Sequence, residues 1–347
     1  AETWSRVRYT DLDVTLDDLR AALDWLSGNN DSRVSRLAAL AVRVFNDNAR
    51  HDEALEWIDS ALRLPDIDPD IQVGLHAARA SALMSATRYE EAAAAATSAI
   101  QIAAPTPELV TAYYCHALVV FGRDPSRSET ISSFQRTIDE LASMFSESES
   151  ARLRSLGQTL CGEIALVRGD AAEARRLLEA QSDHLDRPSA LALAVAYVIT
   201  GNPTLALHLL SEGRKMPGPH LFSHLFSAHE VHAYAALGDY QSAIASAERC
   251  ERELADFSAF NGEPDLLTTL GAAAYCCDDL IAASTLLEAA LRAGGLHAHG
   301  TFGLWRWLAR SLEDRLELTE REAARTAGAE IAPARAIAHG IKVLEAP

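Results

Sequence analysis

Apolar residues recur along this chain at the spacing of an amphipathic helix, and short polar segments interrupt them at regular intervals. The first such stripe is formed by Leu19, Leu23 and Leu26, which lie on one face of a helix because four and three residues separate them. Gly28 and the polar residues after it end this helix. The same pattern continues towards the end of the chain and predicts an all-α fold.

The clearest interruption is the segment LGDYQSA at residues 237–243. Gly238 is predicted to take the left-handed backbone conformation that ends one helix, and Asp239 is predicted to cap the next. Tyr240 and Ala243 are expected to face back into the helix pair. The segment therefore predicts a tight turn between two antiparallel helices.

Related turns recur along nearly the whole sequence. Their first residues are Ala49, Thr87, Gly122, Gly169, Gly201, Gly238 and Asp278. The average step is roughly 38 residues, close to the 34-residue period of tetratricopeptide repeats. In most copies a small residue lies seven positions before the turn, where the two helices are expected to touch most closely. These small residues are Ala80, Cys115, Gly162, Ala194 and Gly271. The spacing predicts a tetratricopeptide-like, right-handed helical solenoid of about seven to eight repeats.

The repeat pattern changes after residue 295. A solenoid needs an atypical terminal element to cover the apolar face of its last repeat. We therefore predict a repeat array over residues 1–295 and a helical capping segment, continuous with the array, over residues 296–347. No segment between them has the length or composition of a flexible linker.

The predicted capping segment contains an apolar helix with Trp305 and Trp307, which are interpreted as part of the core of the cap. Thr319 and Glu322 follow at the spacing of a capping box, which predicts the start of another helix.

Acidic residues outnumber basic ones, with 49 Asp and Glu against 31 Lys and Arg and a formal net charge of -18. An acidic surface repels phosphate backbones and anionic lipids. We therefore expect neither direct nucleic-acid binding nor membrane binding by this segment. No apolar run approaches the ~20 residues that a membrane-spanning helix needs.

The cysteines are odd in number, and none forms a C-x-x-C pair. They are Cys115, Cys161, Cys250, Cys276 and Cys277. This usage indicates reduced thiols and a cytoplasmic location.

Motifs for catalysis or cofactor binding are absent from the sequence. There is no G-x-x-x-x-G-K-[ST] loop for a nucleotide and no G-x-S-x-G nucleophile turn. His220, His224, His229 and His232 fall on one predicted helix. His220 and His224 share a face, but His229 and His232 point away from it, so the four cannot converge on one ion. Two separate metal sites, each with two of these histidines and further ligands from a neighbouring helix, remain an alternative. We predict no catalysis, no metal and no cofactor.

The repeat geometry predicts a binding surface. In a tetratricopeptide array the first helix of each repeat lines the concave groove, and the position six residues before each turn points into it. That position is occupied by Arg43, Ser81, His116, Glu163, Val195, His232 and Ala272. The position three residues further on adds Asn46, Met84 and Tyr275. The candidate binding residues are Arg43, Asn46, Ser81, Met84, His116, Glu163, His232 and Tyr275. Such a chemically varied surface can select a peptide, a protein or a small effector.

Two segments carry a family resemblance. Residues 16–26 read LDDLRAALDWL, and residues 322–330 form an alanine-rich segment with a glycine. With the repeats between them, the chain resembles the C-terminal tetratricopeptide-like sensor region of bacterial signal-transduction ATPases, which include MalT-like, LuxR-type and NB-ARC-containing transcriptional regulators. The resemblance implies a regulatory sensor module that binds an effector or protein partner, with the ATPase module expected upstream of residue 1. The alternatives are a free-standing scaffold for protein–protein interaction and, as a third possibility, a metal enzyme that uses the histidine-rich helix.

Overall fold

A computed structural model describes most of the chain. It covers residues 16–346 except 30, 48–49, 87, 103, 105, 124–127, 145–146, 182–184, 186, 217–222, 257–261 and 295–302. Within these ranges the secondary structure consists of α-helices joined by turns, without a β-strand, which confirms the predicted all-α class. The chain divides into two units between Gly157 and Gln158, inside helix α8. The repeat array at 1–295 and the capping segment at 296–347 stay predictions as domains.

Unit 1 is built from consecutive helices that pack in pairs. Its helices are α1 (Leu16–Gly28), α2 (Arg33–Asp47), α3 (His51–Leu62), α4 (Pro69–Ser85), α5 (Tyr89–Ile102), α6 (Glu108–Arg123), α7 (Ser128–Ser143) and the first part of α8 (Glu147–Val167). The pairs are α2 with α3, α4 with α5 and α6 with α7, and α4 also packs against α2 and α6. This is the packing expected of stacked helical hairpins.

Small side chains allow the helices of unit 1 to approach closely. Ala92, Ala95, Ala96 and Ala99 are the buried residues of α5, which packs against α4 and α6. An ion pair between Arg20 and Glu53, with 2.6 Å between Nε and Oε1, links α1 to α3.

Unit 2 repeats the pairing and adds three helices at its end. After the last part of α8 come α9 (Ala171–Glu179), α10 (Arg187–Ile199), α11 (Pro203–Lys215), α12 (Ser223–Ala236), α13 (Tyr240–Asp256), α14 (Glu263–Cys276), α15 (Leu280–Arg292), α16 (Leu304–Glu313), α17 (Leu318–Glu330) and α18 (Pro333–Glu345). The hairpins are α10 with α11, α12 with α13 and α14 with α15, and α12 also packs against α10 and α14.

The turns of unit 2 have the predicted backbone conformation. In the turns between the helices of each pair, φ is left-handed at Gly169 (84°), Gly201 (79°), Gly238 (75°) and Asp278 (65°). Aspartate tolerates this conformation better than most side chains, because its short polar group bonds locally. The turn at Asp278 therefore follows the glycine turns in geometry although no glycine is present.

Aspartates cap the helices that follow three of these turns. The carboxylates of Asp170, Asp239 and Asp279 accept hydrogen bonds from backbone N–H groups three residues later, at 3.1, 3.1 and 2.9 Å. After the central turn, Ala243 is buried and Tyr240 packs against the core. The prediction for the turn at residues 237–243 is confirmed in each of these features.

Two glycines lie where paired helices touch, as the spacing predicts. A Cβ atom on Gly162 would lie 2.6 Å from Cγ of Leu178 on α9. A Cβ atom on Gly271 would lie 3.3 Å from the carbonyl oxygen of Ala283 on α15. Only a small residue permits these approaches, since both distances are shorter than an ordinary carbon contact.

The last two helices cover the last hairpin. Helix α17 packs along α15, where a Cβ atom on Gly328 would lie 2.4 Å from the carbonyl oxygen of Thr285. Helix α18 packs against α13, α14 and α15, with Gly340 against Leu270. The apolar faces of α14 and α15 are thereby enclosed.

The start of α17 corrects one expectation. The capping box is formed by Glu317 and Glu320, not by Thr319 and Glu322. The backbone N–H of Glu317 donates to Oε2 of Glu320 at 3.2 Å. Thr319 already lies in the first turn of α17. The helix begins two residues earlier than predicted, and the side chains of Glu317 and Glu320 form the two halves of the box.

Candidate functional site

Helix α16 lies against the first helices of the hairpins of unit 2. We call the surface formed by α10, α12 and α14 the first-helix face. Helix α16 packs against α10 and α14 and also against α15. Its first turn follows Gly303, which has a φ of 77°; a Cβ atom there would lie 2.2 Å from the carbonyl oxygen of Leu166 at the end of α8. The chain therefore holds one of its own helices on the face that repeat geometry predicts to bind a ligand.

A tryptophan of α16 fits between two of the predicted binding residues. The indole ring of Trp307 lies 5.4 Å from the imidazole of His232 on α12, tilted by 38°. It also lies 5.4 Å from the ring of Tyr275 on α14, in an edge arrangement at 73°. Such tilted and edge-on contacts are favourable between aromatic rings. We call the pair His232 and Tyr275 the aromatic slot.

The imidazole in this slot is neutral. Only 3% of His232 is exposed. Burial lowers the pKa of its imidazole to about 3, and the neighbouring His229 contributes in the same direction. A positive charge is therefore disfavoured in the slot, which suits an uncharged aromatic side chain.

Leucines of α16 form its buried stripe. Leu304, Leu308 and Leu312 are all buried. Leu304 shares a buried cluster with Val195 and Ala272, two further positions at which the sequence predicts the groove. Burial of a leucine side chain contributes about 1.5–3 kcal/mol. The stripe therefore stabilises the packing of α16 on this face.

Two arginines hold the C-terminal part of α16. Beyond its C-terminal end, the guanidinium of Arg315 lies 5.1 Å from the centroid of the Tyr275 ring and forms an ion pair with Asp278. Nη2 of Arg310 donates to the carbonyl oxygen of Arg168 at 3.4 Å, at the C-terminal end of α8. The C-terminal end of a helix carries a partial negative charge that attracts such a cation. These contacts fix the direction in which α16 lies across the face.

The structure brings together only part of the predicted set. His232 and Tyr275 meet around Trp307, and Glu163 is buried on α8. In unit 1 Asn46 and Met84 are buried, and Oδ1 of Asn46 lies 3.1 Å from Nδ1 of His51 at the start of α3.

The remaining predicted positions in unit 1 are less enclosed. Ser81 and His116 are partly exposed. The side chain of Arg43 lies outside the described residues. For all eight residues the binding role stays a prediction.

Sequence reasoning missed the occupant of the face. Trp307 was expected in the core of a terminal cap; it packs against the buried cluster that includes the capping helices, and its ring lies on His232 of α12 and Tyr275 of α14. Arg315 and Asp278 were not singled out as a pair. The available signal was the stripe of leucines and tryptophans in α16, which predicts one buried face without saying which surface covers it.

The described part of the histidine-rich helix does not bring metal-binding side chains together. His224, His229 and His232 are all buried on α12, whereas His220 lies outside the described residues. In the part of the chain that the structure describes, no three His, Cys, Asp or Glu side chains are grouped to hold a metal ion. No described helix combines the length and apolarity needed to cross a membrane.

Comparisons with known proteins do not assign a family. A scan against protein-family models finds no match, and a search of curated proteins finds none either. The site is therefore interpreted from its own geometry.

Proposed function

We propose that the chain is the regulatory sensor module of a multidomain signalling ATPase that acts as a transcriptional regulator. In this proposal a protein segment or small effector binds to the first helices of the stacked hairpins. Binding of the effector shifts the module between two conformational states. The output of the parent polypeptide changes because the effector has a different affinity for each state.

One observation carries the proposal. The first-helix face of unit 2 already holds an amphipathic helix, through an aromatic slot whose two members are predicted binding residues. A surface with a buried aromatic anchor and charged groups at its rim has the composition of a recognition site. The family resemblance supports the further step from recognition to regulation.

The proposal is tested in the parent polypeptide. We expect Arg43→Glu and His116→Ala to change the response of ATP hydrolysis or reporter transcription by roughly fivefold or more, the range of typical coupling energies. His208→Ala, at an exposed histidine on the second helix α11, is the matched control and should leave the response unchanged. An unaltered response in both groove variants would refute the binding role of these positions.

A free-standing scaffold is the second candidate. It is favoured by the nature of the occupant, since the first-helix face of unit 2 holds a polypeptide helix and thus suits a protein partner. The reading frame upstream of residue 1 separates the two candidates. A P-loop module encoded there supports the sensor, and partner binding that is indifferent to nucleotide supports the scaffold.

A further inference from the structure

We propose that the first-helix face of unit 2 binds an amphipathic helix of a partner protein, and that α16 is the chain's own competitor for that site. The partner helix presents a tryptophan between leucines, followed two helical turns later by a basic residue. This inference rests on the proposed function, because it names the class of partner for the same face.

The contacts of α16 define what such a partner must carry. The indole of Trp307 enters the aromatic slot. Leu304 lies about one turn before Trp307, Leu308 follows it directly, and both leucines are buried. Arg315, eight residues after Trp307, pairs with Asp278. Anchoring by apolar residues at helical spacing is how grooves recognise helices.

The hairpins of unit 2 also pack directly on one another. The pairs α10–α11, α12–α13 and α14–α15 pack directly on one another, and α17 and α18 enclose the last pair. Helix α16 adds no hairpin of its own and lies across the surface of three others. It thus has the position of a bound ligand, and its release would uncover the apolar surface that its leucines bury.

Charge favours a basic partner. The chain carries a formal net charge of -18, and the residue that receives Arg315 is the exposed Asp278. An acidic protein attracts a basic helix over a distance of about one Debye length, and salt weakens this attraction. A partner with a lysine or arginine at that position therefore associates faster at low ionic strength.

Tethering makes α16 a strong competitor. A segment attached to the same chain has an effective concentration in the millimolar range. An external helix with the same contacts binds only to the fraction of molecules in which α16 has left, so its apparent affinity falls in proportion to that fraction. A partner must exceed α16 in affinity, or a second event must release α16.

The test uses a fluorescent peptide with the sequence of residues 303–316 and the full chain. We expect the peptide to bind Trp307→Ala at least ~10-fold more tightly than the wild type, because the weakened α16 no longer competes effectively. Arg325→Ala, at an exposed arginine on α17, is the matched control and should bind like the wild type. A peptide with alanine at the position of Trp307 should bind Trp307→Ala at least ~10-fold more weakly than the unchanged peptide, because it leaves the aromatic slot empty.

A milder variant keeps the test decisive if Trp307→Ala is unstable. Arg315→Ala removes only a cation–π contact and an exposed ion pair, so the buried leucines of α16 stay in place. It should raise peptide affinity about threefold, with circular dichroism unchanged.

In the Trp307→Ala protein, Asp278→Asn should lower peptide affinity and reduce the salt dependence of binding, because the charged partner of the peptide's arginine is removed. The turn itself should be preserved, since asparagine also tolerates the left-handed conformation.

Equal peptide affinity for the wild type and both α16 variants would overturn the inference, as would binding that ignores the central tryptophan. This failure is distinguishable from failure of the proposed function. If Arg43→Glu and His116→Ala alter the response of the parent polypeptide while the peptide does not bind, only the helical partner is refuted.

Discussion

At the scale of single residues, a polar cluster on α11, α12 and α13 shows how the sequence places charges inside unit 2. The carboxylate of Glu230 receives the guanidinium of Arg214 at 3.1 Å and also pairs with Arg249. The hydroxyl of Ser227 accepts from Arg214 at 2.7 Å and donates to Glu253 at 2.7 Å. Each charged group is thus paired, which is the condition for burying charge.

Replacing the central carboxylate should be costly. Glu230→Ala leaves two arginines without their shared partner, and we expect a loss of roughly 3 kcal/mol in the free energy of unfolding. Glu230 is buried, whereas Glu212, paired with Lys215 at 2.6 Å, is exposed. Glu212→Ala is therefore the control and should cost less than about 0.5 kcal/mol. Equal losses in denaturant titrations of the two variants would contradict this account.

At the scale of helices, the glycines distinguish two kinds of position. Gly74 in α4 has room for a methyl group, since the nearest atoms to a Cβ there are 3.9 Å away. Gly162 in α8 has none, because Leu178 would lie at 2.6 Å and is fully buried. The same substitution should therefore have opposite effects on stability at these two sites.

We expect Gly74→Ala to stabilise the protein by about 0.5–1 kcal/mol, because alanine loses less conformational entropy in a helix than glycine. Gly162→Ala should destabilise by about 1–3 kcal/mol, since α8 and α9 must move apart. Chemical denaturation of both variants measures the difference. A stabilising Gly162→Ala would show that the close approach of the two helices is not required.

The sequence predicts helices and turns well because both are local. The glycine at 238 and the aspartate after it specify the turn through backbone conformation and one hydrogen bond. The turn at Asp278 was also found, since its spacing matches the other copies even without a glycine. The position of α16 was not found, because an amphipathic stripe shows that a helix is buried but not which surface receives it. Repeat spacing likewise located His232 and Tyr275 but could not show that Trp307 lies between them.

At the scale of the whole molecule, two buried groups in unit 2 make opposite contributions to pH dependence. Asp265 is only 4% exposed, and its Oδ1 has no hydrogen-bond partner among the described residues. Burial raises the pKa of this carboxyl to about 7. Burial lowers the pKa of His232 to about 3. Asp265 thus adds to the free energy of unfolding at low pH, and this contribution is lost as pH rises from about 4 to 7. His232 adds to the free energy of unfolding at high pH, and this contribution is lost as pH falls below about 6.5.

The variant Asp265→Asn measures the contribution of the aspartate to stability, because asparagine keeps the shape of the side chain but cannot ionise. We expect its stability relative to the wild type to increase from pH 5 to pH 8 by on the order of 3 kcal/mol, because only the wild type must bury a carboxylate. Denaturant titrations at several pH values measure this difference. A difference that does not vary with pH would mean that Asp265 is ionised in the folded state at no cost.

The histidine contribution has the opposite sign and should appear in His232→Phe. An imidazole with a folded-state pKa of about 3 resists protonation that the unfolded chain accepts at about 6.5, so the wild type loses stability as pH falls. Relative to the wild type, the variant should gain on the order of 3 kcal/mol between pH 7 and pH 4. Between about pH 4 and 6.5 the contributions of Asp265 and His232 to the free energy of unfolding change in opposite directions in the wild type. Each contribution becomes visible only in a variant that lacks the other group. Because His232 contacts Trp307, the same acidification should also loosen α16. If the α16 amides lose protection from hydrogen exchange at pH 5 in the wild type, and keep it in His232→Phe, the titration of one histidine is connected to the position of α16 on the face.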